Sequence, residues 1–326
     1  MNFSRLLNHS LPTTILVNIV LISMWFAQIF FTETRFADTQ ITIFGSVTLF
    51  SLPFYTSAII QFLAFFFLAF WAYSAFFSSY LTVTAYLPFT LMMLYGAVWQ
   101  GFHVFSENTI AVFFLMLAIK QIIGDIRKNN SGKIFNIFLT LSIAAFFVPV
   151  FLCFFPVIIL SLLYFLGGNS KTFLAMLFSI LMPALCFLEI CYLTNSIDIF
   201  IDFYTNIFKN IDPIDFLLYT TTQYMLIILS VICFIVPFII FVLNYNNYKL
   251  QTRQLLFFLF VLCAVSLLLS LIFWTWLNVT SLLIIILVIF FITQVFTNLN
   301  SLRNQIMLLI FVISMIVIYI LTFLGF

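Results

Sequence analysis

Residues 134–166 read IFNIFLTLSIAAFFVPVFLCFFPVIILSLLYFL, a run without a single charged side chain. One helix needs only about 20 apolar residues to cross roughly 30 Å of hydrocarbon, so this run is too long for one. Pro149 falls near its middle, where a missing N–H and a clashing ring interrupt a helix. The stretch therefore predicts two short spans, 134–148 and 150–166, with the break at Pro149.

The rest of the chain is written in the same alphabet. Of its 326 residues, 65% are hydrophobic and only 6% charged, and the mean hydropathy is +1.29. An ordinary globular protein is roughly a quarter charged. Eleven basic and nine acidic side chains could not cover a soluble protein of this length. Lipid must be the solvent, and the composition predicts an all-α integral membrane protein folded as one polytopic domain over residues 1–326. A net charge of +2 without a basic run excludes a nucleic-acid partner, and no Gly-rich loop offers a nucleotide site. Cys153, Cys186, Cys191, Cys233 and Cys263 all lie in apolar stretches, where cysteine acts as a small hydrophobe. Arg5 precedes an apolar run from Thr13 to Phe31 that is longer than a signal-peptide core, which predicts an uncleaved first span.

Cutting at polar clusters and turn residues gives about eleven spans: 13–31, 55–77, 85–101, 107–124, 134–148, 150–166, 173–193, 217–243, 255–276, 280–298 and 305–324. The stretch 41–54, with Gly45 and Pro53, is too short to cross before the next span begins and reads as an interfacial or re-entrant piece. Charge fixes the orientation, because Lys and Arg collect on the cytoplasmic side. With the N-terminus inside and the C-terminus outside, Arg5, Lys120, Arg127, Lys128, Lys133, Lys171, Lys249, Arg253 and Arg303 are cytoplasmic. Only Arg35 and Lys209 fall outside, together with nearly all the acids. A full span at 41–54 would reverse every later loop and destroy this asymmetry. Residues 194–216 form an acidic loop whose apolar pattern predicts an amphipathic helix on the outer surface, and residues 217–326 carry the last spans.

Candidate chemistry collects on the outer side. The first outer loop holds Glu33, Arg35 and Asp38, where carboxylates flanking an arginine could orient a sugar, act as a base or hold a divalent cation. As plain structure, the same residues make a solvated loop that closes its own ion pair. A second cluster, Trp99-Gln100-Gly101-Phe102-His103-Val104-Phe105-Ser106-Glu107-Asn108, opens an apolar helix. Glu107 there suits the positive end of the helix dipole, and Ser106 with Glu107 also fits a simple cap. His103, one of two histidines, reads as a hydrogen-bonding group at the interface or as a ligand contact. Glu189 is an acid inside a hydrocarbon run, near enough to its outer end to snorkel. Lys209 completes the outer charged set.

Over roughly residues 85–193 the order of parts is familiar. Tyr86-Leu87-Pro88 is followed by Ser106-Glu107-Asn108, a short basic loop, paired short helices around Pro149 and Pro156, a turn at Gly167-Gly168 and a span with Met182-Pro183. This resembles an uncharacterised family of bacterial polytopic membrane proteins and, more distantly, the GT-C type polyprenyl-phosphate-dependent glycosyltransferases. The resemblance makes 1–193 a GT-C-like helical half. It implies that Glu33 or Asp38 matches the first-loop acid and Glu107 the second, as catalytic base or as ligands of a divalent metal ion. Arg35, His103, Glu189 and Lys209 would then contact a polyprenyl-phosphate-linked sugar at the outer face of the bacterial inner membrane. Two other functions stay open: a non-catalytic subunit of an envelope assembly or secretion complex, and a transporter or flippase of a lipid-linked substrate.

Overall fold

The computed structural model describes residues 11–31, 39–43, 47–74, 87–99, 102–125, 131–166, 170–206, 220–272, 277–295 and 302–324. Among them the chain forms twelve α-helices and one β-hairpin. The helices are α1 (Leu11–Phe31), α2 (Phe54–Ala72), α3 (Leu87–Val98), α4 (Glu107–Asp125), α5 (Ser131–Phe147), α6 (Phe154–Leu166), α7 (Ser170–Leu193), α8 (Ile197–Asn206), α9 (Thr221–Leu243), α10 (Leu250–Ile272), α11 (Leu277–Val295) and α12 (Leu302–Phe323). Each apolar segment cut from the sequence holds one of them, and α8 is the predicted amphipathic helix. Five helices, α2, α7, α9, α10 and α12, contain stretches long and apolar enough to cross a membrane. Shorter apolar helices make up most of the rest, as in a multi-pass membrane protein.

The piece at 41–54, read from the sequence as interfacial or re-entrant and too short to span, takes part in a β-hairpin and ends at the start of α2. Thr39–Ile43 (β1) pairs antiparallel with Val47–Leu52 (β2), with an irregularity in register between Ile41 and Thr42. Alternating threonine and isoleucine favour a pleated strand over a helix, and Pro53 follows the second strand before α2. An isolated hairpin leaves its outer backbone groups unpaired, so it cannot cross hydrocarbon. β1 lies against α4 and α5.

Pro149 does interrupt the 134–166 run. After α5, Val148 is extended and Pro149–Cys153 forms a 3-10 turn that leads into α6. Ser142 of α5 donates to the carbonyl of Ser179, and Phe146 meets the ring of Phe187. The two helices advance together, so α5 and α7 are parallel and α6 returns the chain between them. The end of α7 is a Schellman motif: Ser196 N–H bonds Cys191 O at 2.8 Å, Asn195 N–H bonds Tyr192 O, and Asn195 takes a positive φ of 53°. Thr220 and Gln223 begin α9 with a capping box.

Two helices form the centre. α3 packs on α1, α2, α11 and α12, and all of its residues but Thr90 are buried. In α11 every residue from Thr280 to Thr293 is buried. A helix apolar all round belongs inside a protein or in lipid, and these two are inside. Phe260 and Phe291 stack at 3.9 Å between α10 and α11, with Phe234 of α9 edge-on to both. Hydroxyls in these helices bond back to their own turns, as Ser266 does to Leu262 O and Thr293 to Ile289 O. Links between distant parts include Tyr319 donating to Met24 O at 2.8 Å and Tyr95 meeting Ser230 of α9.

Candidate functional site

Glu107 begins α4, and the residues around it decide what that end of the bundle can do. Phe105 N–H donates to Ser57 Oγ at 3.0 Å, and the Thr109 hydroxyl donates to Gln61 Oε1 at 2.9 Å. At the other end, Lys120 of α4 lies 5.1 Å over the ring of Trp71 in α2. Ser57, Gln61 and Trp71 ascend α2 as Phe105, Thr109 and Lys120 ascend the chain. Thus α2 and α4 are parallel, and Glu107 and Lys120 stand at opposite ends.

Between α3 and α4, Trp99, Phe102 and His103 are buried in the bundle. Phe102 stacks on Trp99 and Phe65, and Phe102 N–H bonds Trp99 O. His103 is only 2% exposed, which corrects its reading as a group at the interface. Its ring stands edge-on to Trp25 of α1 with centroids 4.8 Å apart. Trp25 itself is fully buried against Phe62 and Phe65 of α2. Gly96 makes this possible: a Cβ there would come within 2.5 Å of Phe65 and 3.0 Å of Trp25. Burial holds the His103 imidazole well below its ordinary range, at about 3, against a smaller opposing effect of its hydrogen bond to the Ala97 carbonyl. His103 is therefore a neutral group at physiological pH.

Glu107 is half-buried at the head of α4, and the Ser106 carbonyl accepts from Thr109 N–H at 3.1 Å. Its neighbours in the fold include buried polar side chains that the sequence reading passed over, Ser57 and Gln61 of α2 and Thr109, and Gln28 is a further buried amide on α1. Gln28 and Gln61 carried a usable signal, because each is an amide set within an otherwise apolar helix. Glu189 is exposed on α7, which packs mainly on α5 and α8 and so does not join this cluster. Glu33, Arg35, Asp38 and Lys209 lie outside the described residues. Among the described residues no three His, Cys, Asp or Glu side chains stand close enough to hold a metal ion.

Two apolar hollows lie elsewhere. One, of about 300 Å³, is lined by Leu229, Cys233 and Pro237 of α9, Ile292 of α11, and Phe311 and Ser314 of α12. The other, of about 240 Å³, lies between α5 and α7 beside Leu152 and Phe155. Compared with protein-family models, curated proteins and solved structures, the chain matches none. Composition and helices together define the class: a predominantly helical, multi-pass membrane protein.

Proposed function

We propose that this chain crosses the bacterial inner membrane about eleven times, with its N-terminus in the cytoplasm, and acts at the outer face as a GT-C-like glycosyltransferase. The substrate is a sugar carried on a polyprenyl phosphate. The observation that supports this reading most is the gathering of Glu107, Ser57, Gln61, His103 and Thr109 at one end of the parallel helices α2 and α4, with Lys120 at the other. In the proposed reaction the Glu107 carboxylate takes the proton of the acceptor hydroxyl. That oxygen bonds to the anomeric carbon as the bond to the polyprenyl phosphate breaks. Glu33 and Asp38 complete the outer acidic set, either beside Glu107 or as ligands of a divalent cation.

Glu107→Gln tests this directly. The variant keeps size and most hydrogen bonding, so a mere cap would lose about 0.5–1 kcal/mol of helix stability. A working base would lose sugar transfer by about 100-fold or more with folding intact. Transfer from a polyprenyl-linked donor at the wild-type rate in purified, folded variant removes the enzymatic reading. A second reading, a non-catalytic subunit of an envelope assembly, is favoured by α7. That helix shows Phe173, Leu177, Phe178, Leu185 and Ile190 to its surroundings along most of its length. It predicts a stable complex that survives Glu107→Gln and is lost when this face carries charge.

A further inference from the structure

We infer that Trp25 and His103 together form a buried binding site for one hydroxyl oxygen, with the indole Nε1–H as donor and the imidazole Nε2 as acceptor. The argument follows from which atoms are already satisfied. His103 bonds the Ala97 carbonyl, while its Nε2 is buried with no hydrogen-bond partner among the described residues. The bond to Ala97 is therefore made by Nδ1. A carbonyl can only accept, so Nδ1 carries the proton and Nε2 presents a bare lone pair. The indole Nε1–H of Trp25, on the adjoining ring, is likewise buried without a hydrogen-bond acceptor among the described residues. Two such orphaned atoms in an apolar interior are costly unless something pairs with them.

Their opposite character selects the ligand. An anion or a carbonyl would accept from the indole but leave Nε2 bare. An ammonium would serve Nε2 but not the indole. A hydroxyl does both at once, donating its hydrogen to Nε2 and accepting from Nε1–H. Gly96 holds Trp25 in place, since a side chain there would displace it from α3, and the Phe105–Ser57 bond fixes the segment that carries His103. The oxygen can come from water or from a sugar-class ligand. The sugar source rests on the function proposed above.

The full-length chain in lipid nanodiscs, labelled with 15N-histidine in a His9→Gln background, leaves His103 as the sole imidazole signal, because the sequence has only two histidines. The inference expects an unprotonated but hydrogen-bonded Nε2, whose signal moves to the unbonded position in Trp25→Phe. Methyl β-glucoside serves as the probe of source. A His103 shift on its addition identifies the ligand's hydroxyl. A hydrogen-bonded signal that ignores it identifies water and leaves the proposed function untouched. A protonated Nε2, or an Nε2 signal indifferent to Trp25→Phe, overturns the inference. Should Trp25→Phe fail to fold, the wild-type indole N–H resonance of Trp25 decides instead, and a free indole N–H overturns it. Both readouts report binding, so neither depends on whether sugar transfer occurs.

Discussion

Helices α7 and α11 are both written in leucine, isoleucine and phenylalanine, yet they occupy opposite surroundings. From Thr280 to Thr293, α11 is buried on every side. α7 buries only Thr172, Met176, Ser179 and Cys191. Hydropathy does not separate them, because lipid tails are as apolar as leucine and helices in membranes are sorted by packing instead. The separating features are small. α7 carries two charged residues on exposed positions, Lys171 and Glu189, whereas α11 carries none.

The sharpest way to break this contrast is to remove the same volume from both helices. Ile285→Ala in α11 should cost about 2–5 kcal/mol through lost contacts and a cavity. Leu185→Ala in α7, where lipid refills the space, should stay within about 0.5 kcal/mol. Equal losses in SDS unfolding of the purified protein would mean that α7 is not bare in the membrane.

A medium effect should appear on acidification, because a buried imidazole behaves as part of the centre. His103 has a folded-state value lowered to about 3 from the ordinary 6.5. Between those limits the unfolded chain binds the proton and the folded one does not, so stability falls as pH drops below 6.5. At pH 5 the loss should be roughly 2 kcal/mol. His103→Asn should abolish that component, and an undiminished acid sensitivity in this variant would refute its assignment. The smallest effect concerns two tyrosines. Tyr95→Phe, losing the bond to Ser230 in α9, should cost about 0.6 kcal/mol, typical of a polar link between membrane helices. Tyr192→Phe on exposed α7 should leave the unfolding midpoint unchanged.

Much of the fold was legible in the sequence. Apolar length located the helices, Pro149 placed the break before α6, and the spacing of Ile197, Ile201 and their neighbours announced α8. The hairpin was not legible in apolar length, which says only that the segment is too short to cross; its signal lies in the threonine-isoleucine alternation of β1. The site was only half legible. Glu107 was found because a carboxylate at a helix start is a local feature. Ser57, Gln61 and the burial of His103 were not, since their partners lie 48 residues away or, for Trp25, on α1. Contacts of that kind depend on which helices become neighbours, and apolar patterning leaves that undetermined.

The shortness of α3 has a consequence for the way this protein is made. Its 12 residues measure ~18 Å, well short of a ~30 Å hydrocarbon layer. Its permanent neighbours include α11 and α12, which leave the ribosome well after it. The nascent chain must therefore hold α3 against α1 and α2 until α9 brings Ser230 to Tyr95, 135 residues later, and until α11 and α12 follow. A chain that stalls before α11 presents an under-packed α3 and its Gly96 notch to whatever the membrane supplies. Synthesis of α11 and α12 is the step that closes it, and quality-control proteases would meet the protein in that interval.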